Sequence, residues 1–347
     1  MTQNQISTIS EFLLHAGTDY RVFDMGRGIR PISSQCFLDW ETAKSPPIHP
    51  RAGHAWIGIV FWDKSRSQHQ YIWFIKLPVD EQGLLVAASR NQFLQIIVEA
   101  LGTQLENAEK KNGQLPDNPY TFVPNQQQLA DFNSHSRKTL GLGTSSYYAA
   151  TLDYLRSPMV IDWQTLALQG FADVVANMPQ DDIAQTINQH FSVFPQAVQN
   201  ALLTSMENTN LSDDTMVTIE SWLLADKTDI TRWVHGLRSL CVMQSEARVI
   251  KLVSQALTFD VSDNTDCLAV ISGRLWLSLL SENNLMSFMH KAAIADPTFG
   301  FFQAMFGDLV RIPSMRHAML SLLREPEKSP QLTQAVGSLF SNSAQSK

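Results

Sequence analysis

Asp24, Arg27 and Arg30 fall within "YRVFDMGRGIRPIS" (residues 20–33), where a strand-like run meets two glycines flanked by arginines. Guanidinium groups beside flexible backbone can hold a phosphate or another small anion through charge-assisted hydrogen bonds. The dinucleotide fingerprint, however, needs three glycines and a helix opening behind the turn, so that its N-terminus meets the pyrophosphate. Here the third glycine is missing, and Pro31 and the β-like "IRPIS" stand where that helix would begin. The Lys-Ser/Thr pair of a phosphate loop is missing too. Gly26 and Gly28 are therefore read as supplying positive φ at a tight reversal between two strands. Asp24, Arg27 and Arg30 remain as a polar cluster at the loop tip, a contact point for a partner or a small anion.

The other chemistry-bearing residues do not assemble into a set. His49 and His54 in "IHPRAGH" stand five apart in a Pro/Gly loop, with no Cys or paired carboxylate to complete a metal site. Cys36, Cys241 and Cys267 share no ligand spacing, and an odd count argues against a disulfide framework. No serine sits in a G-x-S-x-G elbow. The acidic pairs Asp181/Asp182 and Asp213/Asp214 mark helix starts, where exposed N–H groups and the helix dipole favour carboxylates. The reading is no catalytic residue, no metal and no cofactor. Arg274, in the apolar "ISGRLWLSLL", calls for a carboxylate partner or a path to the rim. Gly273 before it suggests close approach of a neighbouring helix, offsetting the roughly 1 kcal/mol a helical glycine costs.

Aromatic residues supply a second candidate surface. Trp56, Phe61, Trp62, Trp73 and Phe74 crowd two adjacent runs, and alternation along a strand prevents them all from facing one core. Both faces of such a sheet need cover, from the chain's own helices or from a partner at Trp56, Trp62 and Trp73.

The elements that must position these residues change character along the chain. "TISE" has capping-box spacing at Thr8 and Glu11, and Gly17 marks the end of that first helix. A strand near 19–25 follows, then the hairpin "HAWIGIVFWD" (54–63) and "QYIWFIKLPVD" (70–80), and a helix over 88–102. Residues 1–102 thus read as a small α+β domain with an aromatic β-hairpin. Residues 103–144, polar and rich in Asn, Gln and Pro, read as a connecting region. From residue 145 to 347 the apolar pattern is helical throughout, with cap signals at "PQDD", "LSDD", "KTD", "SDN" and "SEN". Stripes such as Ala167/Phe171/Val174/Val175/Met178 and Phe299/Phe302/Phe306/Leu309/Val310 recur. Helix pairs begin near 163, 195, 229, 265 and 298, which predicts an all-α, helical-hairpin, α-solenoid-like array with a concave surface.

Charge divides along the same line. Residues 1–150 carry 13 Lys+Arg against 13 Asp+Glu, whereas residues 151–347 carry 13 against 20. An acidic helical part and the lack of basic runs argue against nucleic acid and anionic lipid as partners. Apolar runs such as "AWIGIVFW" are too short to cross a bilayer, and the N-terminal segment has no basic start, so a cytoplasmic protein is expected.

Taken together, "VFDMGR", "AWIGIVFW", "YIWFIKLPVDEQGLL", "NPYTFVP" and "SSYYAATLDYL" resemble an uncharacterised bacterial (proteobacterial) family of proteins of unknown function. The resemblance implies a cytoplasmic bacterial housekeeping or regulatory protein and assigns no residue a role. The sequence alone therefore points to a protein–protein interaction or scaffold protein that binds a partner or self-associates, without nucleic acid or membrane. The alternative is an enzyme or small-ligand sensor with a site between the two domains near Asp24, Arg27 and Arg30.

Overall fold

The computed structural model describes residues 6–65, 69–106, 116–178, 182–326 and 328–341. It divides into two compact units, one ending at Pro124 and the other beginning at Asn125.

The first unit runs α1 (Ile9–His15), β1 (Thr18–Asp24), β2 (Arg30–Ile32), α2 (Ser34–Glu41), β3 (His54–Asp63), β4 (Gln70–Pro78) and α3 (Ala87–Glu106). The strands form one antiparallel sheet in the order β2-β1-β3-β4. The capping box at Thr8 and Glu11 opens α1, and Gly17, at φ 74°, follows its end. A second carboxylate serves the same helix end. Glu41, at the end of α2, is buried and accepts from the N–H groups of Ile9 (2.5 Å) and Ser10 (3.1 Å), which have no partner within the helix. The segment around "FLDWETAK" is therefore a helix, α2, capped by the Ser33 hydroxyl and tied to α1 by Glu41.

Strict alternation in β3 turns Ala55, Ile57, Ile59 and Phe61 towards one core with Tyr20, Val22, Trp73, Ile75 and Leu77. Ile9, Leu13, Phe37, Trp40, Phe93, Leu94 and Ile97 of the three helices fill the other side of that core. Each such side chain taken out of water stabilises the fold by about 1.5–3 kcal/mol. The opposite face carries Trp56, Val60, Trp62, Phe23 and Phe74. Beyond β4, residues 120–122 pair with the strand edge, through Lys76 N–H to the Tyr120 carbonyl (2.8 Å) and Phe122 N–H to the Phe74 carbonyl (3.1 Å).

The second unit contains α4 (Gln126–Thr139), α5 (Tyr148–Arg156), α6 (Leu168–Ala176), α7 (Asp182–His190), α8 (Gln196–Met206), α9 (Asp213–Ala225), α10 (Ile230–Ser239), α11 (Ala247–Ala256), α12 (Thr265–Arg274), α13 (Glu282–Ala295), α14 (Gly300–Leu309), α15 (Pro313–Leu322) and α16 (Pro330–Ser341). Thus α4 occupies the heart of the polar stretch 103–144. The helix starts are chemically explicit: Ser212, Asp229, Asn264 and Ser281 each accept a first-turn N–H of α9, α10, α12 and α13. Asp213 and Asp214 lie in the first turn of α9, and Asp182 opens α7, while Asp181 lies outside the described residues.

Packing follows a repeat. Helices α4, α6, α8, α10, α12 and α14 lie side by side, each against the next, while α5, α7 and α9 stack in a parallel series. Leu168, Gln196, Ile230, Thr265, Gly300 and Pro330 begin successive second helices of the pairs, at intervals of 28, 34, 35, 35 and 30 residues. This is a helical-hairpin, solenoid-like architecture in which each pair buries its apolar face on its neighbours. The apolar stripes supply one continuous core, from Phe171, Val174 and Val175 through Trp233, Leu237, Val253 and Ile271 to Phe302, Leu309 and Ala335. One glycine departs from expectation. Close approach occurs at Gly236, where an added Cβ would lie 2.6 Å from Leu223, and not at Gly273, where it would meet nothing within 4 Å.

Candidate functional site

The loop Met25–Ile29 joins β1 to β2, with Asp24 and Arg30 paired across its base. The hairpin is as expected from sequence, but its tip is not exposed: Met25, Arg27 and Ile29 are all buried, Arg27 to 1% exposure. The glycines serve two different needs. Gly28 holds φ 122°, which only glycine tolerates well, whereas Gly26 is not left-handed. A Cβ on Gly26 would sit 1.8 Å from the His49 carbonyl oxygen, so its requirement is close backbone approach.

The polar groups of this loop are turned towards the segment that follows α2. Asp24 accepts from the Gly26 N–H (2.9 Å) through Oδ1, and its Oδ2 lies 2.8 Å from His49 Nδ1. Arg27 Nε–H donates to the Pro50 carbonyl (2.9 Å). Arg30 is half-buried at the start of β2. The structure therefore brings Asp24 and Arg27 together with His49 and Pro50, in a clamp on "IHPRAGH". His54 turns instead to its own loop, with Nδ1 2.9 Å from the Ala52 carbonyl.

The three candidate tryptophans do not form one patch. Trp73 faces the helices and packs on Phe61 (4.6 Å between centroids), Phe93 (6.1 Å) and Phe12 (6.4 Å). Trp56 and Trp62 lie on the other face, six residues apart along β3. The Arg51 guanidinium sits over the Trp56 ring at 4.3 Å, the Phe122 ring meets it at 4.8 Å, and its indole N–H donates to the Arg51 carbonyl (3.0 Å). Trp62 is half-buried beneath Arg21, 5.4 Å away.

The densest polar chemistry lies elsewhere, in the second unit. Glu207, just past the end of α8, is buried and shared by two arginines. Arg238, in the last turn of α10, donates through Nε (2.5 Å) and Nη2 (2.8 Å); Arg274, the last residue of α12, donates through Nε (2.8 Å). Burial alone would raise the Glu207 carboxyl, but Arg274 and Arg238 outweigh it and hold it down to about 2. On α4, buried Asp131 accepts from the Ser205 hydroxyl (2.6 Å) and from Gln127 (3.1 Å), and burial pushes it up to about 7. Asp173 of α6, also buried, accepts from Ser134 (2.6 Å), Gln169 (3.1 Å) and the Ser145 N–H (2.9 Å).

Two carboxyls pushed apart in this way are the starting condition for acid–base catalysis. Asp131, however, lines neither the cavity of about 330 Å³ beside Arg238 and Arg274 nor that of about 760 Å³ beside Leu94 and Val98. The polar groups of the network bind one another across neighbouring helices. Of the cysteines, burial pushes Cys267 up to about 12, which keeps it from acting as a thiolate. Among the described residues, no group of three His, Cys, Asp or Glu could hold a metal ion.

Sequence reasoning reached one member of the network, Arg274, through its need for a counter-charge in an apolar helix. It missed Glu207, Arg238 and Asp131. Their signal is periodic: Glu207, Arg238 and Arg274 stand at the C-terminal end of the second helix of three successive pairs.

The fold and these networks define a small α+β sheet unit followed by a helical-hairpin repeat braced by buried ion pairs. The chain belongs to the family described as Protein of unknown function (DUF3549), whose model matches residues 4–340. No curated protein and no solved structure matches it. Among the described residues, no helix is long and apolar enough to cross a membrane.

Proposed function

We propose that this protein is a cytoplasmic, protein-binding scaffold whose helical array presents a surface to a partner or to a second copy. The observation that carries this reading is the row of α4, α6, α8, α10, α12 and α14, braced from within by Glu207, Arg238 and Arg274. Such a row gives a long, stiff surface with its residues at regular spacing, which suits recognition of an extended partner. The excess of acidic residues over 151–347 favours a partner with basic groups over nucleic acid.

The test is in-cell crosslinking of the full chain followed by mass spectrometry, repeated with charge reversals along the exposed side of that row. Crosslinks to a recurring partner or between copies, lost on charge reversal, support the scaffold. A strictly monomeric chain without crosslinks rejects it. The rival reading, a small-ligand or catalytic site near Asp24, Arg27 and Arg30, draws on the contact of buried Asp24 with half-buried His49. It requires an Asp24→Asn variant that stays folded yet loses a ligand-induced change in stability.

A further inference from the structure

Between α10 and α12 lies a groove of about 330 Å³ lined by Val234, Arg238, Asp266, Ala269, Val270 and Arg274. Its ends differ in charge. At one end Glu207 offsets one of the two guanidiniums, and Asp131, which also acts on Arg238, is pushed by burial towards its neutral form, so the cluster leans positive. Arg238 Nη1 and Arg274 Nη2 have no protein partner among the described residues, and both side chains reach solvent at 26% and 14% exposure. At the other end stands Asp266, in the first turn of α12. Eight residues of helix separate Asp266 from Arg274, about 12 Å at 1.5 Å per residue. Val234, Ala269 and Val270 give an apolar floor between the two. Gly273 leaves that stretch open, since nothing lies within 4 Å of where its Cβ would be.

We infer that this groove takes a peptide segment of a partner protein that carries a carboxylate side chain at one end and a lysine or arginine at the other, with small apolar residues between. The carboxylate bridges Arg238 and Arg274, each of which offers an N–H not spent on Glu207. The cation meets Asp266. Specificity arises from the spacing: the reversed or misaligned segment sets like charges against each other at both ends. An extended segment spans the distance with the two charges four residues apart, at about 3.3 Å per residue, and a helical one with them eight apart. The inference rests on the scaffold reading and adds the chemistry of what is bound.

The probe is a series of fluorescein-labelled peptides with one Glu and one Lys separated by one to nine Ala, Val or Leu residues, titrated into the full-length protein at low ionic strength. Anisotropy should show tightest binding at one of the two matching separations. Two variants outside the Glu207 cluster make the test independent of folding. Gly273→Leu, which has room for its side chain, should fill the groove and weaken binding at least about tenfold. Asp266→Lys should move the preference from Lys to a second Glu in the peptide. Binding that ignores separation, or that both variants leave unchanged, overturns the assignment. Crosslinks to a partner that persist in Gly273→Leu would leave the scaffold standing and remove only the groove.

Discussion

Replacing Glu207 by Gln tests whether the second unit is braced by charge. The substitution preserves shape and an accepting oxygen but removes the carboxylate that Arg238 and Arg274 share, leaving Arg238 with the pull of Asp131, which burial keeps near neutral. Two routes give the size of the loss. Removing one partner of a buried ion pair costs about 3–5 kcal/mol. Independently, a carboxyl held at about 2 against an ordinary 4.5 stores roughly 3–4 kcal/mol, at about 1.4 kcal/mol per unit. The sign follows from the depressed value: this contribution is complete above pH 4.5 and is lost as pH falls towards 2. Urea unfolding followed by far-ultraviolet circular dichroism, dominated by the helical unit, should place Glu207→Gln about 3 kcal/mol below wild type at pH 7. Only the wild type should lose stability through this group below pH 4.5. A loss under about 1 kcal/mol, or an acid limb as steep in the variant as in wild type, would refute the electrostatic account.

Asp131→Asn should act in the opposite sense. Because burial raises Asp131 to about 7, the stability tied to its protonated form is complete below pH 4 and lost as pH rises through 7, so the variant should melt above wild type at pH 8 and not at pH 4. Gly26→Ala should destabilise the first unit by about 2 kcal/mol or more, since its Cβ would collide with the His49 carbonyl; an unchanged unfolding midpoint for the sheet unit would contradict this. Gly273→Ala should instead stabilise the second unit by about 0.5–1 kcal/mol in the same urea titration, because the new methyl meets only solvent.

Local chemistry was legible where it acts over a few residues. The capping box at Thr8, the helix starts at Ser212, Asp229, Asn264 and Ser281, and the β3–β4 hairpin all depend on neighbours in the chain, and all could be read there. The repeat could be read for a similar reason, since its spacing is a one-dimensional signal. What could not be read is anything set by contacts far apart in sequence. Gly26 reads as a left-handed position until the His49 carbonyl, 23 residues away, is brought against it. Arg27 reads as a loop-tip cation until burial turns it towards Pro50. Glu207 looks like an ordinary end-of-helix residue, because its partners follow 31 and 67 positions later.

The reach of Glu207 from α8 across to α12 has a consequence for how this chain can change over time. In a solenoid whose units touch only their immediate neighbours, a pair can be duplicated or dropped and the joints re-form alike. Here the carboxylate answers to two later units at once, so excising or doubling the α9–α10 pair would leave one arginine too few or one too many around a single buried anion. That stretch of the array is fixed in number, and growth or shrinkage is left to its ends.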